Sequence, residues 1–305
     1  MGAYCDLNSH LRSLFGQKVY KIALSTPFTC PNRDGTCGTG GCIFCSGSGS
    51  GNFAAASTLP IAQQLAEAKK RVRHKLGANP LYIAYFQSFT STYGPVEVQR
   101  RLFSEAIGDS CVVALSVATR PDCLPKEVLD LLEELNRIKP VWVELGFQTA
   151  REETARFIRR GYDNDCFVQA VRELKKRGLS VIVHLILGLP GEDHQDEIES
   201  LRYVCNEGIH GIKFHLLHVL KGTELSQMEY TPLEREEYVF RVTDLLRYVP
   251  KNVVIHRLTG DGDKNELLAP LWSADKKRVL NEIQRRLRVF GIVQGEALQK
   301  KAQEV

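Results

Sequence analysis

The chain has 305 residues, 43% hydrophobic and 25% charged, with a net charge of +4. That balance excludes a disordered, collagen-like or small disulfide-knit chain, and the length allows one large domain or two small ones. No apolar run approaches the ~20 residues of a membrane helix, and the first eighteen residues lack the apolar core of a secretory signal, so the expected location is the cytoplasm. The charge is uneven. Residues 1–80 hold nine Lys/Arg against three Asp/Glu, residues 161–240 eight against fourteen, and residues 241–305 thirteen against eight. Basic ends attract phosphate backbones, although runs such as Lys69-Lys70-Arg71 and Lys276-Lys277-Arg278 equally suit solvated helix faces.

Residues 1–18 read as a basic N-terminal segment. Apolar, β-branched runs then predict strands at Val19–Ser25, Leu81–Gln87, Val112–Val117, Val141–Phe147, Val181–Leu187 and Gly211–His218. Amphipathic stretches between and after them predict helices at Ile61–Leu76, Val96–Ile107, Lys126–Ile138, Asp165–Arg177, Gln195–Asn206 and Glu234–Tyr248. Six βα units with strands apolar on both faces indicate a helix-covered parallel sheet. The expected fold is α/β, a partial (β/α)6 TIM-like barrel over 19–250. A C-terminal α/β extension follows over 251–305: strand Val253–Leu258, the turn TGDGDKN and helix Ala274–Arg288. This extension is expected to close the barrel, contact substrate, or both.

In such folds the C-terminal strand ends carry the chemistry. By period two, Glu144, Gly146 and Gln148 share one side of their strand, as do Tyr85 and Gln87, and Lys213 and His215. His184 interrupts VIVHLIL. Buried polar groups cost ~1–3 kcal/mol if unsatisfied, so polar side chains on four strands of one sheet suggest a site. Arg120, His218, Lys221 and Arg257 lie near predicted strand ends and suit a phosphate or carboxylate.

Nine cysteines, an odd number, argue against a disulfide framework. Four fall within CPNRDGTCGTGGCIFC, at 30, 37, 42 and 45. A tetrahedral zinc site would use all four. An iron–sulfur cluster would use three, leaving one iron open to a small molecule. Spacing alone leaves both open; the position just after the first strand, at the mouth of the array, favours reactive chemistry over a structural knuckle.

This loop, with ALSVATRPDCL, VELGFQT, RRGYDND, HLILGLPGE, KFHLLHVLKGTEL and HRLTGDGDKNELLAPLW, resembles the radical-SAM superfamily over roughly residues 15–295. More narrowly it resembles the YhcC-type subfamily, related to the elongator catalytic subunit, and the MnmL-type tRNA wobble-uridine-modifying enzymes. The family's usual C-x3-C-x2-C is stretched here to C-x11-C-x2-C, as in the elongator-like branch. The resemblance implies that Cys30, Cys42 and Cys45 hold a 4Fe–4S cluster, with Cys37 spare. The open iron would bind S-adenosyl-L-methionine, and an external one-electron reductant such as flavodoxin or ferredoxin would drive formation of a 5′-deoxyadenosyl radical. By position in the family, Gln87 and Ser88 would hold the methionyl amino group and Gln148, with Glu144 deeper, the ribose or carboxylate. His184 and the turn from Gly188 would support the ribose and methionyl part, and the backbone of Leu217 to Val219 the adenine. Lys221, His218 and Arg257 would act on the substrate side. The implied substrate is tRNA, its wobble carboxymethylaminomethyluridine becoming aminomethyluridine. The length leaves no room for the elongator's acetyltransferase domain. The alternatives are a radical-SAM enzyme for a protein or small molecule, and a non-catalytic four-cysteine zinc adaptor that binds RNA.

Overall fold

The computed structural model describes residues 2–47, 49, 54–75, 77–260 and 262–298. Seven strands form one all-parallel sheet: β1 (Val19–Leu24), β2 (Leu81–Phe86), β3 (Val112–Thr119), β4 (Val141–Gln148), β5 (Ser180–Leu187), β6 (Gly211–Leu216) and β8 (Val254–Arg257), in that spatial order. The helices α2 (Ile61–Val72), α3 (Val96–Gly108), α4 (Lys126–Asn136), α6 (Asn164–Lys176), α7 (His194–Asn206) and α8 (Arg235–Leu246) occupy the predicted connections. Strand residues such as Phe86, Leu115, Phe147, Val183 and Phe214 bury one face under these helices in the main core. The architecture is the expected partial TIM-like barrel. The tail strand, expected in the extension, is its seventh stave: β8 pairs in parallel with β6.

Three features were absent from the sequence reading. The first is α1 (Leu7–Phe15), capped by the Asp6 carboxylate, which accepts from Ser9 N at 3.0 Å, and ended by Gly16 in the left-handed region. The second is α5 (Glu152–Phe157), and the third an antiparallel pair, β7 (Val219–Leu220) with β9 (Leu267–Ala269). The helix of the tail is α9 (Lys276–Phe290).

The sheet stays open between β1 and β8. The N-terminal segment crosses that gap: Ile255 N donates to Cys5 O at 2.8 Å, and Asp6 makes an isolated parallel bridge to Ile255. Leu11 of α1 then packs with Val19, Ile83, Ala114, Trp142 and Ile182, an apolar layer across the floor of the barrel. Among the described residues no helix is long and apolar enough to cross a membrane.

Candidate active site at the barrel mouth

The cysteine loop leaves the end of β1 and is fastened to the ends of other strands. Ile43, between two of the cysteines, is buried with Ile158, Leu189, Leu217, Val219 and Leu225; its carbonyl accepts from Leu225 N at 2.9 Å. Asn32 Nδ2 donates to Arg159 O at 2.6 Å and approaches Cys42 Sγ at 3.5 Å. Gly161, at φ +82°, lies so close that a Cβ there would sit 2.4 Å from Asn32 Oδ1. Arg120 binds Asp122 through two hydrogen bonds of 2.9 and 2.6 Å and donates to Arg160 O at 2.8 Å. The segment 159–162 is therefore a clamp on the loop.

Cys30, Cys42 and Cys45 lie near enough to interact electrostatically. Burial, with negative charge at Cys45 and Cys30, pushes the Cys42 thiol up to about 12 against the opposing Asn32 and Arg120. Cys45 is likewise raised by burial and by Cys30, against Arg33. Cys37 is exposed, 4.0 Å from Asp122 Oδ2. Among the described residues no three or more His, Cys, Asp or Glu side chains form a group that could hold a single metal ion. A cubane spreads its thiolates over separate irons. Three half-buried thiols with Asn32, Arg33 and Arg120 to stabilise negative charge fit that donor set.

The residues assigned to the cofactor fall into two groups. At the mouth, Gln87 follows β2 and Ser88 is buried, its Oγ 2.7 Å from Ser25 Oγ. Gln148 ends β4 at φ +68°, where the register to β5 shifts. Its amide folds over Gly146, where a Cβ would meet Nε2 at 2.9 Å. A non-glycine residue in the left-handed region at a strand end is stored strain of the kind found at functional sites. Gly188, φ +78°, donates its N–H to Glu197 Oε1 at 2.9 Å and accepts from Tyr230 at 2.7 Å. Leu217 and Val219 are buried, with side chains in the apolar cluster under the cysteine loop, so only their backbone is available to a ligand.

Glu144 and His184 lie deeper, inside the barrel. Glu144 is fully buried and is the hub of a charged layer just above the apolar floor. Its Oε1 accepts from Lys21 and, at 2.6 Å, from Ser116; its Oε2 accepts from Lys213 and, at 2.8 Å, faces His184 Nε2. Burial would raise the Glu144 pKa, but Lys21 and Lys213 hold it well below the usual range. Burial and Lys213 push His184 down to about 4, so the imidazole is neutral near pH 7. Lys21 and Ser116 were not singled out in the sequence, although both sit on the lumen side by period two.

The substrate-side candidates diverge. Arg257 lines a cavity of about 690 Å³ in the β1–β8 gap with Lys21, Tyr85, Gln87 and Lys213. His218 packs against Gly260 and Gly262. Lys221 is exposed on the β7–β9 pair, its N–H bonded to Glu266 O at 2.7 Å. Asp261, within the Gly/Asp-rich turn, lies outside the described residues.

A parallel half-barrel with a cysteine loop at its mouth is the frame of a class of cofactor-dependent radical enzymes, and comparison with known proteins agrees. The chain belongs to the radical SAM superfamily: the model "Radical SAM superfamily" matches residues 32–204 and "Radical_SAM C-terminal domain" residues 209–289. It is 45% identical to YtqA of Bacillus subtilis, covering 99% of this chain and 94% of that one. It is 40% identical to protein YhcC of Escherichia coli (93% and 92%). It is also 32% identical over 157 residues to a tRNA uridine(34) acetyltransferase of Methanocaldococcus jannaschii, covering 49% of this chain and 28% of that protein. Among solved structures, the archaeal Elp3 of Methanocaldococcus infernus superposes with a TM-score of 0.68 at 19% identity, over 90% of this chain and 64% of that one. The family implies a 4Fe–4S cluster and S-adenosylmethionine.

Proposed function

We propose that this radical SAM enzyme remodels the 5-substituent of the tRNA wobble uridine, taking carboxymethylaminomethyluridine to aminomethyluridine. Cys30, Cys42 and Cys45 hold the cluster in this proposal, and Gln87, Ser88, Gln148 and the Gly188 turn hold the cofactor. The observation that carries it is the open side of the barrel: a cationic cavity running from the floor to Gln87 at the mouth, in a chain related to tRNA uridine(34) acetyltransferases. Held by Cys30, Cys42 and Cys45 and the strand ends at the mouth, cluster and cofactor would supply hydrogen abstraction from an unactivated position.

The chain's own residues bind, orient and exclude. The floor of Leu11, Val19, Ile83, Ala114, Trp142 and Ile182 seals the lumen against water from below. β8 and α9 wall the cavity, through Ile255, Arg257, Lys276 and Leu280 among others, and so contact substrate in this reading. α9 begins Lys276-Lys277-Arg278 behind the Asp275 carboxylate that caps it and accepts from Arg278 N. An anticodon-loop base is already accessible and needs little unstacking. A cytoplasmic location and a flavodoxin- or ferredoxin-like reductant belong to the same proposal.

The test is mass spectrometry of tRNA nucleosides from cells with and without the gene. Carboxymethylaminomethyluridine should accumulate and its aminomethyl product vanish; an identical profile defeats the proposal.

A further inference from the structure

The charged layer in the lumen holds more positive than negative charge. Lys21 and Lys213 share one carboxylate, and both oxygens of Glu144 are already engaged. Lys18 and Arg257 also line the cavity, whose wall carries one acid, Asp6, the cap of α1. Burying an ammonium is costly unless it is paired, and one carboxylate does not fully hold two: burial lowers the pKa of Lys21 and brings that of Lys213 down to about 7, so an added anion would restore the charge of both. Aromatic faces take up part of the surplus, both ammonium groups lying over the Tyr85 ring and Lys21 also over Trp142. The surplus faces the cavity.

We propose that Lys21 and Lys213 form a carboxylate subsite for the substrate, whose anionic end enters through the β1–β8 gap and lies between the two ammonium groups. Each ammonium has three donors, so both retain capacity beyond Glu144. The Tyr85 hydroxyl lies 3.3 Å from Lys213 Nζ and accepts from it, while its own proton is directed at Glu144. Burial and the Glu144 charge keep that phenol protonated. The subsite deepens the wobble-uridine reading, which supplies the nucleoside probes, but requires only that the substrate carry a carboxylate.

Calorimetric titration of the anaerobic, reconstituted holoenzyme with adenosylmethionine present tests it. The probes are 5-carboxymethylaminomethyluridine, 5-aminomethyluridine and N-methylglycine. The carboxylate nucleoside should bind at least tenfold more tightly than the amine. Lys21→Met should erase that preference while adenosylmethionine affinity stays within twofold. This variant should fold, because Glu144 keeps Lys213, and a thermal melt checks that. The subsite is overturned if no carboxylate probe binds in a Lys21-dependent way. It is also overturned if Lys21→Met weakens adenosylmethionine as much as nucleoside, which would give the site to the cofactor's own carboxylate. Lys21-dependent binding of N-methylglycine with indifference to both nucleosides keeps the subsite and sinks the wobble-uridine reading; selective nucleoside binding that survives Lys21→Met does the reverse.

Discussion

At the scale of single residues, spacing picked out the cysteine loop, and period-two alternation picked out Glu144, Gln148, His184 and Lys213 before any coordinates. Lys21 and Ser116 escaped because each is a lone polar residue in an apolar strand, and its partners lie on strands far away in sequence. The clamp at 159–162 escaped for the same reason: Gly161 matters only through its contact with Asn32. Gly161→Ala places a methyl 2.4 Å from Asn32 Oδ1 at a left-handed φ, a strain of about 1–3 kcal/mol. Iron bound per chain after identical reconstitution should fall, with the circular dichroism of the barrel unchanged. At Gln148, glycine should relieve the positive φ yet remove the amide. Gln148→Gly should therefore leave the melting temperature at or above wild type while weakening adenosylmethionine roughly tenfold, the value of one or two hydrogen bonds. Unchanged affinity removes Gln148 from the cofactor site.

Among the elements, the six βα units were legible because each strand is apolar on both faces and each helix on one. The seventh stave was assigned to the tail because no amphipathic segment of the usual kind brings the chain back after it. α1 carried both cap signals, Asp6 and Gly16, but its value lies in tertiary contact: its one fully buried residue, Leu11, stoppers the floor. Leu11→Ala should cost about 2–4 kcal/mol in denaturant unfolding. Behind the Gly188 turn, α7 and α8 are joined by His194, whose ring nitrogens lie 3.0 Å from Glu197 and 3.0 Å from Asp244. Burial opposes its charge, but the two carboxylates prevail and raise its pKa to about 9. A raised histidine stabilises the fold fully below its unfolded pKa of about 6.5, and that contribution is lost as pH climbs through about 9. Melting temperature should fall between pH 6.5 and 9.5, and His194→Gln should flatten that part of the profile.

For the molecule as a whole, segment charges foretold two basic ends without showing where they meet. Folding brings Lys18 and Lys21 from one end and Arg257 and Lys276 from the other to the same cavity. If tRNA docks there, its affinity should fall steeply with salt, and replacing Lys18 or Lys276 by Gln should reduce the log–log slope by roughly one unit per lysine. A slope indifferent to both would place the RNA elsewhere.

An unclosed sheet also has two rims, and a bare rim invites a stray strand from another molecule to zip on. The short β8 is shielded by its bridge to Asp6. β1 carries Lys21, turned inward to Glu144, with Lys18 just before it, and charges at a sheet edge deter such growth. Stripping those cations to tighten the barrel would thus trade solubility for rigidity, so a variant freed of its internal charge conflict should be the one that precipitates on concentration.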